Sequence, residues 1–220
     1  NQLEKAQTAL AEKITSIQSK KSISIVLGGG HELTWGHYQG LPKENCGIIN
    51  IDAHFDLRPI NSSGEGNSGT SFDQISTFCT KENIPFNYLC LGIQKSGNSS
   101  SLFEKAELLG VQYLCADALH NNEYKTVLND FIESHDSIYL TICMDVFSVS
   151  IAPGVSAPQV LGITAQKGIE LIETITKSGK LIAVDIAETN PRFDRDHMTA
   201  KLAAQIISTF IHTHTRSLHD

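Results

Sequence analysis

Six short apolar runs, rich in Ile, Val, Leu and Cys, alternate with stretches of helical spacing, and this alternation is the strongest constraint on what the chain can fold into. The runs are 22–30, 47–51, 86–92, 111–116, 137–143 and 180–186. Leu3, Ala6, Leu10, Ile14 and Ile17 predict a helix over 2–19. Further helices are predicted to start within 32–41 and to cover 100–109, 122–134 and 164–177. A final helix carries Met198, Leu202, Ile206 and Phe210 on one face, with Asp194 and Asp196 as candidate caps. Strand–helix alternation of this kind implies an α/β fold: one doubly wound, mainly parallel sheet with helices on both faces, in a single domain over 1–220.

Charge and cysteine usage narrow the function classes. The 220-residue chain has a net charge of -7 and no basic run, which argues against a nucleic-acid or anionic-membrane partner. No apolar run approaches the length of a membrane span. Cys46, Cys79, Cys90, Cys115 and Cys143 are scattered and odd in number, which fits free thiols in a reducing, cytoplasmic setting. His212, His214 and His219 are expected at the surface of a fraying terminus.

Polar residues gather where the apolar runs stop. His31 follows the first run, and Asp52, His54 and Asp56 follow the second. Cys143 and Asp145 end the fifth, and Glu188 follows the sixth. In a parallel sheet all these carboxyl ends share one edge, where the ligand crevice forms. If the 52–56 segment is extended, its alternate residues Asp52, His54 and Asp56 project to one side. A buried strand that ends in unpaired charge is costly, so a cation or an ordinary capped turn must compensate. Singly, Asp145 reads as a turn residue and Glu188 as a helix-entry carboxylate; together the set points to a metal site.

Four segments, "GGGHE", "DAHFD", "CMD" and "VDIAETNPRFDRD", resemble the signature segments of the arginase/agmatinase (ureohydrolase) superfamily, in the same order and over about 22–210. Within it, "GGGHELTWGHYQGL", "DLRP", "SGTSFDQI" and "APGVSAP" look most like the formimidoylglutamase branch. The resemblance implies an arginase-like α/β fold, two Mn²⁺ per subunit, a homo-oligomer, and hydrolysis of a small amidine, N-formimidoyl-L-glutamate, in histidine breakdown. By motif, His31, Asp52 and Asp56 match the ligands of one metal. His54 and Asp145 match those of the second, with Asp52 shared. Glu188 matches the carboxylate that faces the substrate's cationic amidine. The implied chemistry is attack by a metal-activated water, with Asp145 passing a proton to the leaving amine and His54, Asp145 and Glu188 as the catalytic set.

The chain departs from the family pattern in three places. Cys143 stands where many members have a second bridging Asp, and a thiolate there favours softer metals than manganese. As a neutral thiol it leaves the second metal short of a ligand. Phe72 aligns with a His that arginases place near the nucleophile, which speaks against arginase itself. A strand–helix portion that family members carry ahead of the segment matching 1–21 is missing, which predicts a bare sheet edge. Arg58 is a candidate partner for substrate carboxylates, with a structural salt bridge as its plain alternative. Ser68 and Thr70 are candidates for the amino-acid end, with loop-local bonding as theirs. His37 is expected to be structural, and Trp35 and Tyr38 to pack. Agmatine- or guanidinobutyrate-type hydrolysis and a catalytically impaired, ligand-binding member are the competing functions.

Overall fold

A computed structural model describes residues 1–61, 64–121 and 124–217, so His219 lies outside the described residues. Six parallel strands form one sheet in the order β1-β6-β5-β2-β3-β4. They are β1 (Ser24–Leu27), β2 (Cys46–Ile51), β3 (Tyr88–Ile93), β4 (Gln112–Cys115), β5 (Ser137–Cys143) and β6 (Leu181–Ala187). The central strands β2 and β3 are buried along their whole length, as continuous apolar runs in a sheet covered on both faces must be. The edge strands are not: on β1, Ile25 and Leu27 are exposed.

The helices are α1 (Gln2–Gln18), α2 (Leu33–Gln39), α3 (Ser71–Glu82), α4 (Ser100–Leu108), α5 (Tyr124–Glu133), α6 (Ala165–Lys177) and α7 (Met198–Ser217). One core joins the sheet to α1–α4 through Ile14, Tyr38, Phe72, Ile75 and Leu102. The other joins the opposite face to α5–α7 through Leu128, Phe131, Leu171, Ile175, Ile206 and Phe210. The doubly wound expectation therefore holds, with the first four helices on one face and the last three on the other.

Three details differ from the pattern read along the chain. The first strand stops at Leu27, because Gly28 and Gly29 take φ values of +93° and +80° and turn the chain instead of extending it. Helix α3 lies in a stretch where the sequence marks no element; its buried residues are Ser71, Phe72, Ile75, Ser76 and Cys79, and the two serines among those five blur the apolar period. Of the two candidate caps of the last helix, Asp194 accepts from the amides of Thr199 and Ala200, whereas Asp196 sits in a left-handed turn with φ of 54°. Residues 122 and 123 of the predicted 122–134 helix lie outside the described residues.

The winding direction reverses between β2 and β5. From β2 the chain proceeds outward to β3 and β4; from β5 it proceeds the other way to β6, beside β1. Adjacent strands whose connections diverge leave a crevice at their carboxyl ends. The residues after β2 and β5 thus lie at the switch point.

Candidate metal centre

Asp52, His54 and Asp56 follow β2, but they do not lie on an extended segment. The chain bends at 53–54, and Asp56 adopts a left-handed φ of 48°. The expected alternation therefore fails as the reason for convergence. Local bonds set the geometry instead. The amide of His54 donates to Asp52 Oδ1 at 2.8 Å, and the Phe55 amide donates to Asn98 Oδ1 at 3.1 Å. Asn98 Nδ2 donates to the carbonyls of Ala53 and Gln94 at 2.9 and 2.8 Å. Gly92, with φ of 110°, closes the other side: a Cβ there would meet Val146 Cγ2 at 2.4 Å and the Asp52 carbonyl at 3.1 Å.

The result is a cluster with two ligand groups sharing one carboxylate. His31 Nδ1 lies 3.0 Å from Asp52 Oδ2 and 2.9 Å from Asp56 Oδ2. His54 Nδ1 lies 3.5 Å from Asp52 Oδ1 and 3.2 Å from Asp145 Oδ2. The donor atoms of His31, Asp52 and Cys143 all lie within 4.8 Å of one another, and so do those of Asp52, His54 and Asp145. Asp52 thus presents its two oxygens to two different imidazoles. His31 is fully buried, and its Nε2 is 2.7 Å from Thr141 Oγ1 on β5, which orients the ring toward the acids.

So many acids in one buried place perturb one another. Burial drags both imidazoles down, yet hydrogen bonds and charge from the surrounding carboxylates outweigh it. His31 is held well above its ordinary range by Asp52 and Asp56, and His54 is raised to about 11 by Asp145 and Asp52. Burial lifts Asp56 to about 6, helped by the charge of Asp52. Burial and then Asp52 also raise Asp145. Asp52 itself is held far below the carboxylate range, because His31 and His54 overcome the burial penalty. The Cys143 thiol is pushed well up by burial, then by the charges of Asp145, Asp52 and Asp56. Asp145 Oδ1 is buried with no hydrogen-bond partner among the described residues. An unpartnered buried carboxylate oxygen on an acid that shares an imidazole with a second acid is the signature of a site built for cations.

Glu188 comes from the other side of the crevice. It follows β6 with φ of 68°, its amide donating to the Gly29 carbonyl at 2.9 Å. Its Oε1 accepts from the His31 amide at 2.8 Å and its Oε2 from Ser156 Oγ at 3.0 Å. A pocket of about 160 Å³ is lined by His54, Asp56, Arg58, Ser68, Gly69, Cys143, Asp145, Ser156, Ala157 and Glu188. Arg58 and Ser68 lie on its wall. Thr70 does not: it is fully buried, and its hydroxyl bonds the Asn67 carbonyl and Gln74 Oε1, so it caps a turn instead of meeting a ligand. Phe72 is also fully buried, edge-on to His31 at 5.6 Å and stacked on Tyr88 at 4.4 Å between centroids.

The sequence reading misses Asn98, Thr141 and Ser156 as site residues. Each acts through hydrogen bonds to residues distant in the sequence, and no local spacing announces such bonds. Ser156 alone has a faint signal, since it lies in the proline-marked loop "APGVSAP". His37 is buried as expected, with Nδ1 2.9 Å from Asp185 Oδ2 and Nε2 2.8 Å from Ser24 Oγ, tying α2 to β6 and β1.

Comparison with known proteins agrees with this geometry. The model of the arginase family matches residues 1–212. The formimidoylglutamase of Legionella pneumophila (strain Lens) is 45% identical over 218 residues, covering 97% of this chain and 68% of that protein. The formimidoylglutamase of Clostridium tetani is 45% identical over 222 residues, covering 96% of this chain and 65% of that protein. The chain thus spans about two thirds of the length of these relatives. Among solved structures, Trypanosoma cruzi formiminoglutamase with Mn²⁺ superposes with a TM-score of 0.84 at 22% identity, over 94% of this chain and 70% of that one, a likeness of fold. A match along nearly the whole sequence, close relatives of one kind and a shared-carboxylate cluster at the switch point converge on one assignment, and the chain belongs to the arginase family.

Proposed function

We propose that the chain hydrolyses N-formimidoyl-L-glutamate to L-glutamate and formamide, using a pair of Mn²⁺ ions. The observation that carries the reading is Asp52, whose two oxygens each face a separate imidazole–carboxylate group. The donor set fits such a pair. His31, Asp52 and Asp56 would hold one ion and Asp52, His54 and Asp145 the other, with Cys143 beside the first group. Carboxylate and imidazole donors suit Mn²⁺, and a single soft sulfur suits it less. When bound, the ions supply Lewis acidity and a water acidic enough to act as nucleophile near neutral pH.

The residues of the chain do the rest. Glu188 pairs with the cationic amidine and turns its carbon toward the cluster, a charge-assisted contact. Water adds to the formimidoyl carbon, the bond to the glutamate nitrogen breaks, and that nitrogen takes up a proton. Asp145, whose Oδ1 has no partner among the described residues, would deliver it. Arg58 and Ser68, on the pocket wall, receive the substrate's carboxylate end. The relatives at 45% identity support formimidoylglutamate over a guanidine, and so does the apolar Phe72 packed against His31.

The test is turnover by metal-stripped protein reloaded with Mn²⁺. Formamide from formimidoylglutamate is expected to outpace urea from arginine or agmatine. Faster urea release would overturn the substrate assignment. Glu188→Gln keeps the shape and removes the charge; loss of a charge-assisted hydrogen bond of about 1.5–3 kcal/mol lowers kcat/KM roughly ten- to a hundredfold, with metal content unchanged.

A further inference from the structure

We propose that Ser156 is the positioning residue that aims Glu188, mounted for the purpose on the proline-bracketed loop 152–158. This rests on the reading of Glu188 as the amidine-facing carboxylate and adds a residue that works through it. Glu188 sits in a left-handed backbone conformation, which a glutamate keeps only where its surroundings hold it. Its carboxylate is clamped from two sides: the His31 amide on Oε1 at 2.8 Å and the Ser156 hydroxyl on Oε2 at 3.0 Å. Each carboxylate oxygen has a second lone-pair direction, so one donor on each leaves both oxygens able to meet the two N–H groups of an amidinium. The His31 donor belongs to the metal-site wall and cannot be varied independently. The Ser156 donor can.

The loop that carries Ser156 is anchored to the segment that follows Glu188. The Gly154 amide donates to Thr199 Oγ1 at 2.7 Å, and the Asn190 amide donates to the Gly154 carbonyl at 2.7 Å. Thr199 is fully buried at the start of α7. Gly154 has no room for a side chain: a Cβ would lie 2.4 Å from Asp194 Cβ. Downstream, Gln159 Nε2 donates to the Ala157 carbonyl at 3.0 Å, and Pro158 restricts the backbone of Ala157. Ser156 is therefore an exposed residue on a braced loop, with its hydroxyl fixed on the pocket's key acid. Exposure discounts a single hydrogen bond, and a bound substrate that covers it restores part of its strength.

The experiment is a double-mutant cycle on the Mn²⁺-loaded protein. Ser156→Ala, Ser156→Thr, Glu188→Gln and Ser156→Ala with Glu188→Gln are compared with the wild type. We expect Ser156→Ala to lower kcat/KM for formimidoylglutamate about three- to tenfold with metal content unchanged. Ser156→Thr retains most of the activity, since its hydroxyl serves the same role. In the Glu188→Gln background, Ser156→Ala costs little more, because the group it aims is gone. A cost repeated in full in that background, or wild-type activity in Ser156→Ala, overturns the proposal. Calorimetric titration of the same proteins with acetamidinium runs the cycle on binding alone. Absent turnover of formimidoylglutamate thus counts against the functional reading, while the acetamidinium cycle still decides the role of Ser156.

Discussion

Replacing Asn98 tests whether one buried side chain holds the metal-site loop. Its amide nitrogen donates to the carbonyls of Ala53 and Gln94, and its oxygen accepts from the Phe55 amide. In Asn98→Ala the two carbonyls keep another partner each, since Ala53 O still accepts from the Gln94 amide and Gln94 O from the Gly97 amide, both at 3.0 Å. Those two losses cost about 1 kcal/mol apiece. The Phe55 amide is buried and loses its acceptor, which costs about 1–3 kcal/mol more. The sum, about 3–5 kcal/mol, is a large share of the stability of an ordinary domain. For a chain of this size it lowers Tm by roughly 6–20 °C, at about 2–4 °C per kcal/mol. Asn98→Asp is nearly isosteric and keeps the acceptor, but it turns a carboxylate toward two carbonyl oxygens, so it should cost no less than Ala. Because Ala53 and Phe55 flank His54, Mn²⁺ affinity at the group built on His54 should fall as well. Equilibrium urea unfolding with an unchanged m value, together with Mn²⁺ titration, measures both effects. A loss under about 1 kcal/mol in Asn98→Ala, or an Asn98→Asp variant as stable as the wild type, would refute the reasoning.

Two further outcomes follow from the cluster's electrostatics. Cys143→Asp should raise Mn²⁺ affinity at the group of Asp52, His54 and Asp145, left short of a ligand by a neutral thiol, and activity at limiting metal, while destabilising the metal-free protein by adding a fourth acid to Asp52, Asp56 and Asp145; a variant that binds Mn²⁺ no better, or loses activity, would place the thiol in the working site. His54, raised to about 11, and His31, also raised, carry protons at neutral pH when only protein groups surround them, and an imidazole must shed its proton to bind a cation. Mn²⁺ uptake should therefore release protons, and affinity should climb from pH 7 toward pH 9; calorimetry in two buffers of different ionisation heat checks this, and pH-independent uptake without proton release would contradict it.

The βα alternation, and with it a parallel sheet covered on both faces, is written in the order of residues, because strand and helix leave different apolar periods in the chain. The same order shows which chemical groups end the strands: His31, Asp52, His54, Asp56, Cys143, Asp145 and Glu188 are legible as polar residues closing apolar runs. Helix α3 is less legible, because Ser71 and Ser76 on its buried face weaken the period that marks a helix. That β2 and β5 are neighbours whose connections diverge, which turns two distant motifs into one crevice, emerges with the packed sheet. Strand order depends on how whole layers pack, and nothing local to a strand encodes its neighbour. The same holds for fine geometry. Asp56 and Glu188 reach the site through left-handed backbone that neither residue type favours, and Thr70 turns away to cap a turn. Asn98, Thr141 and Ser156 become site residues because bonds that span the sheet edge are worth making only once the chain has brought both partners to the same place, at separations of 43, 110 and 32 residues.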